Sequence, residues 1–173
     1  SSAASDVYKR QVETAMMGDQ KVYLVTQRNP QQEVPTAADL YQMGTVSQIK
    51  QIVKMPNGIL RVMVEGLERA ALLTLFEDGQ YLEAEIEDAP MQEEQLSDTV
   101  KEAMSRIVKE KLEEFGNANP KAVKDFIGSL LVITDLEPLL TQTANEFPWD
   151  FAVKQELLEC DYVSHLYDLS LIH

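Results

Sequence analysis

A single cysteine in 173 residues excludes an internal disulfide, and Cys160 reads as a small apolar filler on a helix in a chain suited to a reducing compartment. Histidine is almost as scarce. Of His165 and His173, only His165 lies near the cysteine, and a spacing of five residues is poor for one helical face, so three or four converging zinc ligands are not expected. The seven glycines, Gly18, Gly44, Gly58, Gly66, Gly79, Gly116 and Gly128, are too scattered for a loop of backbone amides around phosphate, and no nucleotide or other cofactor is expected in this chain. No apolar run approaches the roughly 20 residues that cross a bilayer. Nor does a basic start lead into an apolar segment as in a secretory signal, so cytoplasm is the expected setting. Basic residues are few, 15 Lys and Arg against 29 Asp and Glu, and the net charge of −14 argues against nucleic acid and anionic membrane, both of which draw affinity from cations.

What is present is the balance of a globular protein, with 45% hydrophobic and 25% charged residues. A chain of this length buries about 70% of its unfolded surface. The acidic side chains concentrate between Glu77 and Glu114, a span with 13 acidic and 4 basic residues that holds −9 of the −14. That span reads as a solvated face, with a docking surface for basic partners as the other reading.

The pattern changes period near Pro90. Before it, Lys21–Gln27 reads as a buried strand, since Val22, Tyr23, Val25 and Thr26 favour extended backbone. A loop with Pro30 and Pro35 follows, then a short turn over Asp39–Met43. Two apolar-rich runs flank Pro56-Asn57-Gly58, which predicts a β-hairpin whose Asn-Gly pair takes positive φ at both residues. Gly66 interrupts the second run and predicts a bulge or close backbone approach. Ala70–Phe76 is a further strand, Asp78-Gly79 a turn, and Leu82, Ala84 and Ile86 alternate with Glu83, Glu85 and Glu87 as in a half-buried edge strand.

Beyond Pro90 the period is 3.6. Leu96, Val100, Met104, Ile107, Val108, Leu112 and Phe115 share one helical stripe, with Ser97 or Asp98 as caps and Gly116 ending the run. Asn119-Pro120 restarts a helix with the apolar set Val123, Phe126, Ile127, Leu130 and Leu131. Short helices are predicted over Glu137–Thr143, over Phe151–Glu159 with Asp150 as cap, and from Val163 onward. Ahead of the first strand, Val12–Met17 predicts a helix closed by Gly18.

The order of these pieces is more specific than any one of them. Ala15-Met16-Met17-Gly18-Asp19, Lys21-Val22-Tyr23-Leu24-Val25-Thr26-Gln27, the run Gly44–Ala70, Phe147-Pro148-Trp149-Asp150 and Lys154-Gln155-Glu156-Leu157-Leu158-Glu159 together resemble the amino-terminal, substrate-recognition domain of ATP-dependent Lon proteases, from about Val12 to about Asp168. The resemblance implies an α+β fold: a small PUA-like antiparallel β domain with one helix, followed by an α-helical bundle. The expected division is a β-rich part over 11–91 and a helical part over 95–169. Residues 1–10 and 170–173 depart from the family pattern, where a first strand with a Pro-Leu-Arg element is expected, and are read as foreign flanks.

It further implies a fragment that recognises unfolded or damaged proteins and assembles, in the full-length protein, as a homohexamer. The ATPase domain, with ATP and Mg, and the serine protease domain with its serine-lysine pair would lie outside this chain, so no catalytic residue is carried over. A stand-alone adaptor with the same domain is the alternative. No activated nucleophile is evident, and Glu83, Glu85 and Glu87 on a wet strand face are poor general acids. Surface contact remains. Thioethers are polarisable and adaptable, and Met16, Met17 and Met55 are the methionines expected to be exposed for contact with varied unfolded chains, while core packing accounts for most of the others.

Overall fold

The structure, a computed structural model, describes residues 3–77, 82–122 and 126–172. The chain divides into two compact units, Ser1–Pro90 and Met91–His173.

The first unit is an antiparallel sheet of four strands in the order β1 (Lys21–Leu24), β2 (Met43–Lys54), β3 (Leu60–Glu77) and β4 (Leu82–Asp88), preceded by helix α1 (Ala3–Met17). The α1 helix therefore starts well before Val12 and runs through the residues read as a foreign flank. Its end is not made by Gly18. Gln20 takes the left-handed backbone instead, at φ 62°, after its amide has donated to the Ala15 carbonyl at 2.8 Å. Its own carbonyl then accepts from the Ile49 amide at 2.8 Å, so the helix end is tied directly to β2.

In place of separate strands on either side of Gly66, β3 is continuous over 18 residues. The bulge is there all the same: Val46 faces Glu68 and Ser47 faces Gly66, which leaves Leu67 as the extra residue. Two more extra residues, Lys50 on β2 and Leu73 on β3, break the ladders in the same way. Each bulge bends the strand and raises its twist, which lets one long strand serve β2 at one end and β4 at the other.

The hairpin turn differs from the Asn-Gly type expected. Of its loop residues, Gly58 has positive φ (80°) and Asn57 does not. Pro56 explains this, because its ring fixes φ near −65° and suits the second position of a type I turn. The Gly58 amide donates to the Met55 carbonyl at 3.1 Å and the Met55 amide to the Ile59 carbonyl at 2.8 Å. Asn57 Oδ1 accepts from the Ile59 amide at 3.2 Å, giving a three-residue loop in which Gly58 supplies the left-handed step.

At the sheet's edges the burial is shallower than the pattern suggests. β1 is an edge strand of four residues, not a buried one, and Leu24 is exposed; Gln27 rejoins the sheet through a single bridge to Leu40. On β4, Leu82 and Ile86 are half-buried but Ala84 is exposed, and among the described residues β3 is the strand that flanks it. The core of the unit is Leu40, Ser47, Ile49, Ala70 and Leu72. The Asp78-Gly79 turn lies outside the described residues.

The second unit is helical: α2 (Asp98–Ala118), α3 (Pro120–Ala122), α4 (Gly128–Leu131), α5 (Leu136–Glu146), α6 (Phe151–Leu158) and α7 (Val163–Ile172). Ser97 caps α2 by accepting from the Val100 amide at 3.2 Å. Gly116 does not end that helix but lies buried inside it, and Asn119 closes it, its side-chain amide donating to the Phe115 carbonyl at 3.0 Å. Val108 and Leu112 are buried; Val100 and Ile107 sit at the exposed margin of the stripe. Val123 lies outside the described residues. Ile127, Leu130, Leu136, Leu139, Leu140, Leu157, Cys160 and Leu166 complete the core, beside stacked rings in which Phe147 lies 4.6 Å from both Phe115 and Trp149. Asp150 is the N-cap of α6 by backbone position, without a side-chain cap bond.

Candidate functional site

The first unit's surface is set by what its sheet leaves uncovered. In α1, Val12 lies four residues beyond Tyr8 and three beyond Lys9, so each of the two neighbours it on the helix surface. They line a groove of about 610 Å³ whose other wall is the hairpin tip, Asn57 to Leu60, with Val62. Tyr8 and Ile59 are exposed in it. Lys9 is the charged side chain of this lining.

Outside the groove's lining the sheet carries further apolar exposure. Met63, Leu67, Leu73 and Phe76 of β3 and Val53 of β2 are all exposed, with Met63 at 55% and Ile59 at 57%. At Leu73 the extra residue shifts the alternation, so that the covered side passes from Ala70 and Leu72 to Leu75, while from Met63 to Glu68 both faces of β3 are open. Sequence reasoning singles out none of these; the available signal is the Asn57-Gly58 tip, beside which Ile59 has to be exposed.

Of the three methionines expected at the surface, Met17 is 88% exposed and Met16 reaches 36%, both in the last turn of α1. Met55 departs from expectation. It is half-buried, and its amide and carbonyl are both bonded within the hairpin loop. None of the three lines the groove.

The edge strand beside α1 is held by a buried approach. Gly44 lies so close to β1 that a Cβ there would fall 2.4 Å from the Leu24 carbonyl oxygen and 2.6 Å from the Tyr23 ring. Tyr23 lies across this gap and its hydroxyl donates to the Ala70 carbonyl at 2.9 Å, joining β1 to β3 over the intervening strand. Burial raises the Tyr23 pKa above its ordinary value. In the loop that follows, Asp39 accepts from the Thr36 amide at 2.7 Å, the Thr36 hydroxyl at 2.8 Å and the Gln32 side chain at 2.9 Å, and the first two lower its pKa most.

The second unit's grooves are lined by charged side chains, among them Asp98, Lys101, Glu102, Arg106 and Lys109 in a space of about 640 Å³. In a neighbouring groove Glu94 accepts from the Ser164 hydroxyl and, at 3.0 Å, from the Ser164 amide in the first turn of α7, and these two bonds lower its pKa. Among the described residues no group of three or more His, Cys, Asp or Glu is placed to hold a metal ion, and no helix is long and apolar enough to cross a membrane.

Comparison with known proteins decides the family. The family model for the ATP-dependent protease La (LON) substrate-binding domain matches residues 4–169. The chain belongs to that family. The resemblance read from the sequence thus extends over nearly the whole chain. The Lon protease of Lachnoclostridium phytofermentans is 34% identical over 157 residues, covering 91% of this chain and 19% of that protein. That of Azospirillum brasilense is 33% identical over 156 residues, covering 90% of this chain and 19% of the relative. The chain therefore spans about a fifth of the length of these Lon proteases. The N-terminal domain of a Mycobacterium avium complex Lon protease has the same fold, with a TM-score of 0.68 at 19% identity over 95% of this chain and 83% of that one. A Lon N-terminal domain protein from Xanthomonas campestris is a more distant match, at a TM-score of 0.51 and 13% identity over 87% of this chain and 88% of that one.

Proposed function

We propose that this Lon substrate-binding domain captures unfolded or damaged proteins and presents them to ATPase and serine protease domains of its parent protein, where ATP and Mg would act. The observation that carries the reading is the apolar surface of the first unit: Ile59 stands exposed in a groove between α1 and the hairpin tip, and Met17, Met63, Leu67, Leu73 and Phe76 are exposed outside its lining. Exposed apolar area of this kind marks contact with other polypeptides. The exposed thioethers of Met16 and Met17 adapt to side chains of different shape, and Met55 contributes less because half of it is covered. Each contact is weak. Several copies on a homohexamer would multiply them, since a chain held at one copy meets the next at high effective concentration.

A titration of the chain with a permanently unfolded model protein and with its folded counterpart tests the reading. Tighter binding of the unfolded form, weakened by Met17→Ser and Ile59→Ser, is the expected result. Equal affinity for both forms would refute it.

A further inference from the structure

Strand β4 ends the sheet, and its outer side has no strand beside it among the described residues. The Ala89 amide donates to the Arg69 carbonyl at 3.1 Å, which sets the phase of the ladder: Glu85, Glu87 and Ala89 turn their amides and carbonyls toward β3, while Leu82, Ala84, Ile86 and Asp88 turn theirs outward. The irregularity opposite this stretch places its extra residue on β3, so the phase on β4 is unbroken. A second contact agrees with it. The Leu82 carbonyl, one of the outward set, accepts from the Gln11 side chain at 2.8 Å.

The side chains follow the same period. Glu83, Glu85 and Glu87 are exposed on one face, about 7 Å apart along the strand. Ala84, on the other face, is exposed as well. We propose that the outer edge of β4 takes up an extended polypeptide segment with Lys or Arg at alternate positions, which adds to the sheet as a strand beside Glu83, Glu85 and Glu87. The outward amides and carbonyls of Ala84, Ile86 and Asp88 supply main-chain bonds that any extended segment could use. The glutamate row selects among segments, because like charges repel along one face and cations set opposite them at the same period relieve this. The proposal rests on the reading that this domain binds unfolded polypeptides, and it names the class of segment bound best.

The test titrates the 173-residue chain at low salt with three probes: a short peptide in which lysine and valine alternate, a peptide of the same composition with its lysines grouped, and an unfolded model protein. The alternating peptide is expected to bind about tenfold more tightly than the grouped one, with affinity falling as salt rises. Ala84→Pro removes one outward amide and leaves the bonds to β3 in place, so it should lower that affinity about tenfold at an unchanged unfolding midpoint, whereas Ala84→Val should preserve it. If Ala84→Pro does not fold, the double variant Glu85→Gln, Glu87→Gln takes its place and should lower affinity for the alternating peptide alone. Equal binding of the two peptides, or a folded Ala84→Pro chain with undiminished binding, overturns the edge proposal. In that event, capture of the unfolded model protein leaves the broader function standing, and failure to capture it removes both.

Discussion

Adding one methyl group at Gly44 is expected to weaken the first unit more than any other single-carbon change on its sheet. The new Cβ would fall 2.4 Å from the Leu24 carbonyl oxygen, a backbone atom that moves only if β1 moves, and 2.6 Å from Cζ and the hydroxyl of Tyr23. Forcing extra volume into such a site costs about 1–3 kcal/mol. If the Tyr23 ring swings aside to make room, its bond to the Ala70 carbonyl is lost as well, which adds about 1 kcal/mol. The sum for Gly44→Ala is about 2–4 kcal/mol, expressed first as peeling of β1, whose four pairs with β2 are the shortest ladder in the sheet.

Denaturant unfolding followed by two probes would measure this. The amide resonances of β1 and β2, followed by nuclear magnetic resonance, report the sheet, and Trp149, the one tryptophan of the chain, reports the helical unit through its fluorescence. The midpoint read at the sheet amides should fall in Gly44→Ala while the fluorescence midpoint shifts less. Tyr23→Phe, which keeps the ring, should cost only the bond, about 1 kcal/mol. Gly44→Ala combined with Tyr23→Ala should cost less than the two single changes summed, since removing the ring relieves two of the three close contacts. A Gly44→Ala chain within about 0.5 kcal/mol of the parent would refute the argument, because it would mean that β1 yields freely.

The remaining expectations concern backbone sign and acid. At Gly58, φ is 80° and a Cβ added there would meet nothing within 4 Å, so Gly58→Ala should cost only the left-handed backbone term, about 1–2 kcal/mol in the unfolding midpoint, with Gly58→Val costing more. Gln20 is the converse case: Gln20→Gly, at a φ of 62°, should leave stability unchanged or raise it by up to about 1 kcal/mol in the same assay, and a clear loss would show that the side chain itself holds the helix end. For pH, the folded state lowers the pKa of both Glu94 and Asp39, so each stabilises the fold above the ordinary carboxylate range and ceases to as the pH falls through its lowered value. Glu94→Gln should therefore show a flatter decline of the helical unit's midpoint between neutral and strongly acid pH, and an unaltered slope would remove Glu94 from the acid response.

How far the fold can be read in the sequence depends on whether a signal is local. The hairpin tip, the Ser97 cap and the bulge at Gly66 depend on one or a few neighbouring residues, and each leaves a mark there. The type of turn escapes a reading of Asn57-Gly58 without Pro56, whose fixed φ outranks the preference of an Asn-Gly pair. Gly18 and Gly116 mislead for a related reason. A glycine after a helical run is a common stop, yet here Gln20 takes the left-handed step and Gly116 lies buried inside α2. Burial is harder to read, because it depends on what lies opposite: Val22 to Thr26 has the composition of a central strand, yet its strand ends at Leu24 and is an edge, a fact decided by strand order rather than by any residue in the run.

The candidate surface is legible only in part, and the bulges explain why. A period-two reading assigns faces correctly only while the strand remains regular, and β3 breaks the period at Leu67 and Leu73. Across Leu73 the covered side passes from Ala70 and Leu72 to Leu75, and from Met63 to Glu68 both faces are open, so β3 presents Met63, Leu67, Leu73 and Phe76 to solvent. On β4, by contrast, no break occurs, and Glu83, Glu85 and Glu87 stand on the exposed face that their alternation predicts. The bulged strand thus supplies adaptable apolar area and the regular one an ordered row of charge. Two kinds of surface on one sheet therefore follow from where its strands gain an extra residue, and moving a bulge, for instance by deleting Leu73, should redistribute apolar exposure on β3 while leaving the glutamate row in place.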